Sequence, residues 1–129
     1  MAHDNKKVDL VEWVDFNKGT LVLHDLYATG DTGKRVIDKT GLEITLLKGG
    51  SHGGDMEIGA LIANERLDHL IFFWDPMESL PHDPDVKALL RMAVLYNVPT
   101  ACNRATVDLI ISSPLFQSER YKPKKKQSK

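Results

Sequence analysis

The sequence predicts an α/β fold, a three-layer αβα sandwich built on a parallel sheet. Short apolar runs alternate with helical stripes along the chain, and this alternation is typical of parallel strands joined by right-handed crossovers. Turns rich in glycine and threonine follow two of the apolar runs, and a loop rich in proline and acidic residues follows a third. Ligands of open parallel sheets bind beyond the carboxyl ends of the strands. We therefore expect these three segments to meet at one edge of the sheet.

Length and composition exclude several classes of protein. The chain has 129 residues, which suits one domain, expected at 1–116, with a polar, basic tail at 117–129. Lys and Arg number 17 against 18 Asp and Glu, so no excess of positive charge favours a nucleic-acid partner. Cys102 is the sole cysteine, which excludes an internal disulfide and a cysteine-based metal site. Without a signal-peptide pattern or an apolar run of about 20 residues, we expect a cytoplasmic protein that does not bind membranes.

The first part of the chain predicts a helix followed by a strand and a second helix. Apolar residues at i, i+3 and i+4 indicate a helix over 4–18, and Gly19 is its expected end. A strand over 25–28 follows. The cluster Thr29–Gly33 is predicted to be the turn between that strand and a helix over 34–39.

The next unit is predicted to be a strand, a glycine-rich loop and a helix. The strand covers 43–47, and the helix is indicated by apolar residues over 58–62 and ends near Arg66. Between them, four glycines occupy six positions, 49–54. Because glycine lacks Cβ, such a loop lets a ligand approach the main chain closely.

The most apolar strand, over 68–74, runs directly into a loop that contains three prolines. Because proline restricts φ, this loop is expected to hold its polar groups in set positions. Asp83 as the N-cap and Pro84 at the first helical position then predict a helix. A strand over 98–102 and a helix around 107–111 complete the predicted fold.

The loops after Ala28, Leu47 and Trp74 are expected to share one rim of the sheet. The first two supply backbone N–H groups, hydroxyls and helix N-termini, which are features of phosphate sites. The third supplies a histidine flanked by acids. An anion site beside Asp and His groups, with no cofactor motif, predicts proton transfer on a small phosphorylated substrate.

Simpler interpretations of the same residues stay open. Glycine clusters are also common in ordinary turns, and Thr29 or Thr32 would then only cap a helix. Asp85, in the first turn of its predicted helix, would complement the helix dipole.

The histidines also have alternative interpretations. His24 and His69 are expected to be ordinary solvent-exposed side chains. A metal site formed by His82, Asp83 and Asp85 is a rival to proton transfer, although hard metal ions need more oxygen ligands than this loop supplies. We expect no metal ligand in this protein.

Several motifs resemble the methylglyoxal synthase family over residues 3–116. The most specific is Leu70–Leu90, which includes Trp74-Asp75-Pro76 and Pro81-His82-Asp83-Pro84-Asp85. The other matching motifs are Ala2-His3-Asp4 with Lys7, Leu26–Gly30 with Thr32-Gly33, Gly53-Gly54-Asp55, Ile58–Ile62, and Pro99 with Ala101, Asn103, Ala105 and Thr106.

The resemblance implies a cofactor-free lyase that converts dihydroxyacetone phosphate into methylglyoxal and orthophosphate through an enediolate. The family's catalytic base falls on Asp55, and its histidine that polarises the carbonyl and moves protons falls on His82. Asp75 and Asp85 match acids that assist or orient the site. The implied substrate- and phosphate-binding positions are His3, Lys7, Thr29, Gly30, Asp31, Thr32, Gly49, Gly50 and His82. The family also implies a homohexamer that responds allosterically to orthophosphate and is inhibited by it.

The chain departs from the family pattern in three places. The first strand of the family, an apolar strand in the middle of the sheet, is missing before Ala2, so we expect a truncated sequence in which His3 and Lys7 are poorly anchored. Asp31 stands where the family commonly has threonine. Its carboxylate is expected either to repel a substrate phosphate or to turn away and cap the helix N–H groups. Gly49 stands where serine is common.

Two other functions compete with the lyase. One is a catalytically silent regulatory module of the same fold that binds phosphate ligands, or an inactive truncated fragment. The other is a metal-dependent hydrolase. The presence of Asp55, Asp75, His82 and Asp85 together favours the enzyme, because a binding module has no use for a catalytic base.

Overall fold

The computed structural model describes residues 1–49, 52–78 and 83–117, without the side chains of 83–85 and 117. Four short strands lie within these residues, and each overlaps a predicted strand. They are β1 (Tyr27–Thr29), β2 (Thr45–Leu47), β3 (Leu70–Ile71) and β4 (Thr100–Ala101).

The helices differ from the predicted ones mainly at their ends. They are a 3₁₀ helix at Asp4–Lys6, α1 (Lys7–Phe16), α2 (Lys18–Leu21), α3 (Gly30–Thr40), α4 (Gly54–Ala63), α5 (Asp83–Leu95), α6 (Arg104–Ser112) and α7 (Pro114–Gln117). Gly19 lies inside α2, so the prediction that the helix ends there is wrong. Gly41 ends α3 with φ of 73°, a left-handed conformation that glycine adopts without strain. Among the described residues, no helix is both long and apolar enough to cross a bilayer.

The strands form two separate parallel pairs. In one pair, Tyr27 of β1 lies opposite Thr45 of β2, and in the other Leu70 of β3 lies opposite Thr100 of β4. Hydrogen bonds extend the second pair beyond its assigned ends, because the Phe72 N–H donates to the Ala101 carbonyl at 2.9 Å. The predicted parallel pairing is therefore confirmed. Within the described ranges no hydrogen-bonded ladder joins the two pairs.

Helices cover both faces of this divided sheet. On one face α1, α3 and α6 pack around Trp13, Val36 and Val107, which are each at most 3% exposed. On the other face α4 packs on α5, and Ile62 and Leu89 are buried there with residues of β3. These two hydrophobic clusters confirm the three-layer αβα sandwich.

A cavity of about 630 Å³ lies between the two strand pairs. Its lining includes Ala28 of β1 and Leu70 of β3, together with Trp13 of α1. The Met1 amino group donates a hydrogen bond to the Ile71 carbonyl at 2.9 Å, and burial lowers the pKa of that amine to about 5. Neither Asp55 nor Asp75 is among the described residues that line this cavity.

Candidate active site

The carboxyl end of β1 leads directly into helix α3. Thr29 ends the strand and Gly30 begins the helix, so the predicted turn at 29–33 is instead the first turn of α3. Thr29 and Thr32 are buried, and the Thr29 side chain makes no capping hydrogen bond. Because the first N–H groups of a helix have no intrahelical partner, this end of α3 is suited to bind an anion.

The glycine-rich loop after β2 packs against the start of α3. The Gly30 N–H donates to the Lys48 carbonyl at 3.4 Å, and the Gly54 N–H donates to the Gly49 carbonyl at 3.0 Å. A Cβ on Gly54 would collide with the Lys48 carbonyl and lie 2.9 Å from Thr29 Cγ2. Gly54 is therefore required by the close packing of the chain on itself, and the prediction that a ligand approaches the main chain of this loop stays a prediction. Gly50 lies outside the described residues.

Asp55 follows this contact as the second residue of α4. Its side chain is 2% exposed, and Oδ1 accepts a hydrogen bond from the Met56 N–H at 3.0 Å. Within the described part of the chain, Oδ2 is buried and has no hydrogen-bond partner. A buried polar atom without a partner costs free energy of folding, so it calls for a functional explanation. Here the unpaired oxygen is one that can accept a proton.

Lys7 and Asp31 form an ion pair beside the first turn of α3. The Lys7 ammonium lies 2.8 Å from Asp31 Oδ2 and 2.6 Å from Asp4 Oδ1, and the Lys7 side chain is 10% exposed. Burial alone would lower the pKa of Lys7, but the hydrogen bonds and charges of Asp31 and Asp4 outweigh it and raise that pKa. Lys7 is therefore a cation held firmly in place, and the prediction that it is poorly anchored is wrong.

The Asp31 carboxylate faces basic side chains. Besides the contact to Lys7, its Oδ2 lies 3.3 Å from Nε of Arg35. The hydrogen bond and charge of Lys7 lower the pKa of Asp31, so this acid is ionised at neutral pH. The prediction that Asp31 caps the helix is wrong, because the attraction of two cations outweighs the helix N–H groups.

His3 and Asp75 are joined by a buried hydrogen bond. The Asp75 N–H donates to Nδ1 of His3 at 3.0 Å, so a neutral His3 carries its proton on Nε2. The His3 N–H donates to the Phe73 carbonyl at 3.1 Å, and the imidazole packs edge-on against Phe72 with 5.1 Å between ring centroids. His3 is therefore also well anchored, contrary to the prediction.

The Asp75 carboxylate has its own partners. Its Oδ2 accepts from Nδ2 of Asn5 and its Oδ1 accepts from the Met77 N–H, both at 3.0 Å. The Asn5 hydrogen bond, followed by the Met77 hydrogen bond, lowers the pKa of Asp75. Asp75 is thus a charged acid whose carboxylate is held by Asn5 and Met77 while its backbone N–H binds His3.

The structure brings six of the predicted site residues together as three separate pairs. Asp75 contacts His3, Lys7 contacts Asp31, and Gly30 packs against Gly49. His82 lies outside the described residues. Asp85 lies in α5, but its side chain is among those not described, so the rival metal site of His82, Asp83 and Asp85 stays untested.

His24 and His69 are not the solvent-exposed side chains that were predicted. Both are half-buried, and their rings lie 4.9 Å and 4.8 Å from the ring of Phe116. The prediction was wrong because α7 covers them. These two histidines belong to the packing of α7 and not to the candidate site.

Two residues of the site were not predicted. Arg35 lies four residues after Asp31, so the i,i+4 spacing of opposite charges on a helix was a usable signal. Asn5 bonds to a residue 70 positions away, and nothing in its local sequence indicates that contact.

Comparison with known proteins gives consistent matches. A family model described as the MGS-like domain matches residues 9–102. The chain is similar to a methylglyoxal synthase of Hahella chejuensis, at 55% identity over 91% of this chain and 76% of that one. It is also similar to a methylglyoxal synthase of Proteus mirabilis, at 56% identity over 92% of this chain and 78% of that one.

A solved structure agrees with these sequence matches. The crystal structure of a methylglyoxal synthase from Elizabethkingia anophelis superimposes on this chain with a TM-score of 0.86 and is 49% identical to it. The match covers 92% of this chain and 78% of that one.

Proposed function

The chain belongs to the methylglyoxal synthase family, and we propose that it is a lyase that converts dihydroxyacetone phosphate into methylglyoxal and orthophosphate. The observation that carries the proposal is the Asp55 carboxylate, which is buried and has one oxygen without a hydrogen-bond partner among the described residues. Asp55 directly follows Gly54, where a Cβ would lie 2.9 Å from Thr29 at the N-terminus of α3. A base next to an anion site is what proton abstraction from a phosphorylated substrate requires. The names of the relatives give the product, methylglyoxal, and the family resemblance supplies the substrate.

We assign the phosphate group of the substrate to the first turn of α3. Backbone N–H groups there, the hydroxyls of Thr29 and Thr32, and the backbone of Gly49 and Gly50 would bind it. The Lys7 ammonium supports this assignment because it lies in contact with a residue of the same turn. A cation and a helix N-terminus together favour a phosphate dianion.

The reaction starts with proton transfer to Asp55. Oδ2 removes a proton from the hydroxyl-bearing carbon next to the carbonyl, which leaves an enediolate. Once a proton has moved between the two enediolate oxygens, the oxyanion on the carbon that lost its hydrogen becomes the aldehyde carbonyl. The carbon–carbon double bond shifts to the terminal carbon as the carbon–oxygen bond to phosphate breaks, and its electron pair leaves on orthophosphate. The resulting enol gains a proton at its terminal carbon and loses its hydroxyl proton, which gives methylglyoxal. A general base of this kind contributes about 10² to 10⁴-fold to the rate.

The histidines are proposed to act on the substrate oxygens. His82 polarises the carbonyl and moves protons, a role taken from the family resemblance. His3 donates through Nε2, because its Nδ1 accepts from the Asp75 N–H. Asp75 positions His3, and Asp85 is proposed to orient His82.

The test is turnover of dihydroxyacetone phosphate, with methylglyoxal and orthophosphate both measured. We expect Asp55→Asn to lower turnover by about 10² to 10⁴-fold with its fold intact. The matched control is Asp38→Asn, an exposed acid on α3, which should keep turnover. His82→Gln should also lose turnover. If wild type and Asp55→Asn both show only background while calorimetry detects phosphate binding, the protein is instead a silent phosphate-binding module.

We also propose that the protein assembles as a homohexamer and is inhibited by orthophosphate, as the family resemblance implies. Large exposed apolar side chains such as Phe16, Val94 and Leu109 support self-association, since they are 76–86% exposed in the single chain. Light scattering should give a mass six times that of the chain, and a monomer would contradict the proposal. A cytoplasmic location stays a prediction.

A further inference from the structure

We propose that Asp31 competes with the substrate phosphate for Lys7. The Asp31 carboxylate pairs with the Lys7 ammonium until phosphate binds, and the carboxylate then moves towards Arg35. The inference rests on the phosphate site of the proposed function and adds a residue that sets how tightly that site binds. It concerns the position at which this chain has an acid in place of the threonine common in the resembling family.

The geometry places two anions in competition for one cation. Lys7 reaches Asp31 from α1 across the contact between α1 and α3, at 2.8 Å. Asp31 belongs to the same first turn of α3 whose N–H groups are suited to bind phosphate. A phosphate bound there would lie close to both the Lys7 ammonium and the Asp31 carboxylate. Since like charges repel at such separations, both anions cannot keep their best positions.

The Lys7 side chain is held in place and cannot move away from the two anions. Its side chain is 10% exposed and its ammonium is also held by Asp4 at 2.6 Å. Asp31, in contrast, is 59% exposed, so its carboxylate has room to rotate. The side chain that moves when phosphate binds is therefore Asp31.

Arg35 provides the alternative partner. It lies one helical turn after Asp31, with Nε already 3.3 Å from the shared Oδ2, and its side chain is 53% exposed. Rotation of Asp31 away from Lys7 exchanges one cation for the other without leaving the carboxylate unpaired. Lys34 also lowers the pKa of Asp31 through its charge, more weakly than Lys7 or Arg35.

The experiment measures the Kd of inorganic phosphate by calorimetry in four proteins: wild type, Asp31→Asn, Arg35→Gln and the double variant. We expect Asp31→Asn to tighten binding by about tenfold, and Arg35→Gln to weaken it by about threefold because Asp31 then stays on Lys7. In the double variant the Arg35 change should have no further effect. This non-additivity separates a local exchange of partners from a general change of charge, whose effects would add.

Two control variants on α3 match the charge changes of the test variants: one removes a negative charge, as Asp31→Asn does, and the other removes a positive charge, as Arg35→Gln does. Asp38→Asn and Lys34→Gln are both exposed, and each should change the Kd by less than about twofold. Thermal melts of all variants check that they are folded. Turnover of dihydroxyacetone phosphate is measured in parallel, and its KM should follow the phosphate Kd.

The outcomes separate this inference from the proposed function. If wild type turns over substrate but Asp31→Asn leaves the phosphate Kd unchanged, or if the two effects simply add in the double variant, the inference is overturned and the function stands. If no protein turns over substrate but Asp31→Asn still tightens phosphate binding, the inference stands and the lyase proposal fails. Phosphate binding to neither wild type nor Asp31→Asn also overturns the inference.

Discussion

Replacing Gly54 with alanine should destabilise the fold and lower turnover together. The added Cβ would collide with the Lys48 carbonyl and lie 2.9 Å from Thr29 Cγ2. A backbone carbonyl cannot rotate away as a flexible side chain does, so either the loop or the start of α4 must shift. Overpacking of this kind costs up to about 3 kcal/mol. Alanine in place of glycine in a helix returns about 1 kcal/mol, which leaves a net loss of about 2 kcal/mol.

The same helix provides a matched control. Gly59 also lies in α4, and a Cβ there meets nothing within 4 Å. We expect Gly59→Ala to raise the free energy of unfolding by about 0.5–1 kcal/mol and to keep turnover. Urea denaturation measures both variants, with unchanged m-values as the check on two-state unfolding. If Gly54→Ala proves as stable and as active as Gly59→Ala, the packing argument for this end of the site is wrong.

Three further predictions concern other parts of the molecule. The folded-state pKa of Asp75 is lowered from its unfolded value of 3.8, so its ionised carboxylate stabilises the fold above pH 3.8, and this stabilisation is lost as pH falls through the folded pKa. The free energy of unfolding measured from pH 5 to 2 should show this loss, and the loss should be smaller in Asp75→Asn. Asn103→Ala removes the cap that accepts from the Thr106 N–H at 2.9 Å, and urea titration should show a loss of about 1 kcal/mol. Lys7→Met should weaken phosphate binding at least tenfold by calorimetry; equal affinity would remove Lys7 from the site.

The sequence predicts the order of strands and helices well but not where each helix begins. The sequence predicts that Gly30 and Gly33 lie in a turn, yet both lie in α3. At Gly33 an added Cβ would lie 3.1 Å from the Cβ of Ala28 and collide with Leu46. The glycine is therefore explained by the packing of α3 on β1 and β2. Local pattern cannot reveal such a contact, because it depends on which strand the helix covers.

In the candidate site, too, the local sequence predicts where residues lie along the strands and helices but not their contacts with residues far away in the sequence. The positions of Thr29, Asp55 and Asp75 at strand or helix ends follow from the predicted alternation of elements. The orientation of Asp31 does not, because it depends on Lys7, which lies 24 positions earlier in the chain. The bond between Asn5 and Asp75 is equally distant. The sequence pattern indicates which residues belong to the candidate site, whereas their hydrogen-bond partners can be identified only from the tertiary structure.

Because the sheet is divided, the segment 2–7 connects the half of the molecule that contains β3 with the half that contains α3. Its start is bound to the half that contains β3, through the parallel bridge of Ala2 with Phe73 and the bond of Asp75 to His3. Its end is bound to α3 through Lys7 and Asp31. The proposed phosphate site is in the half with α3, and Asp75 follows β3 in the other half. We therefore expect that deleting one residue from this segment would shift Lys7 relative to His3 and so misalign the proposed phosphate site with the residues that follow β3.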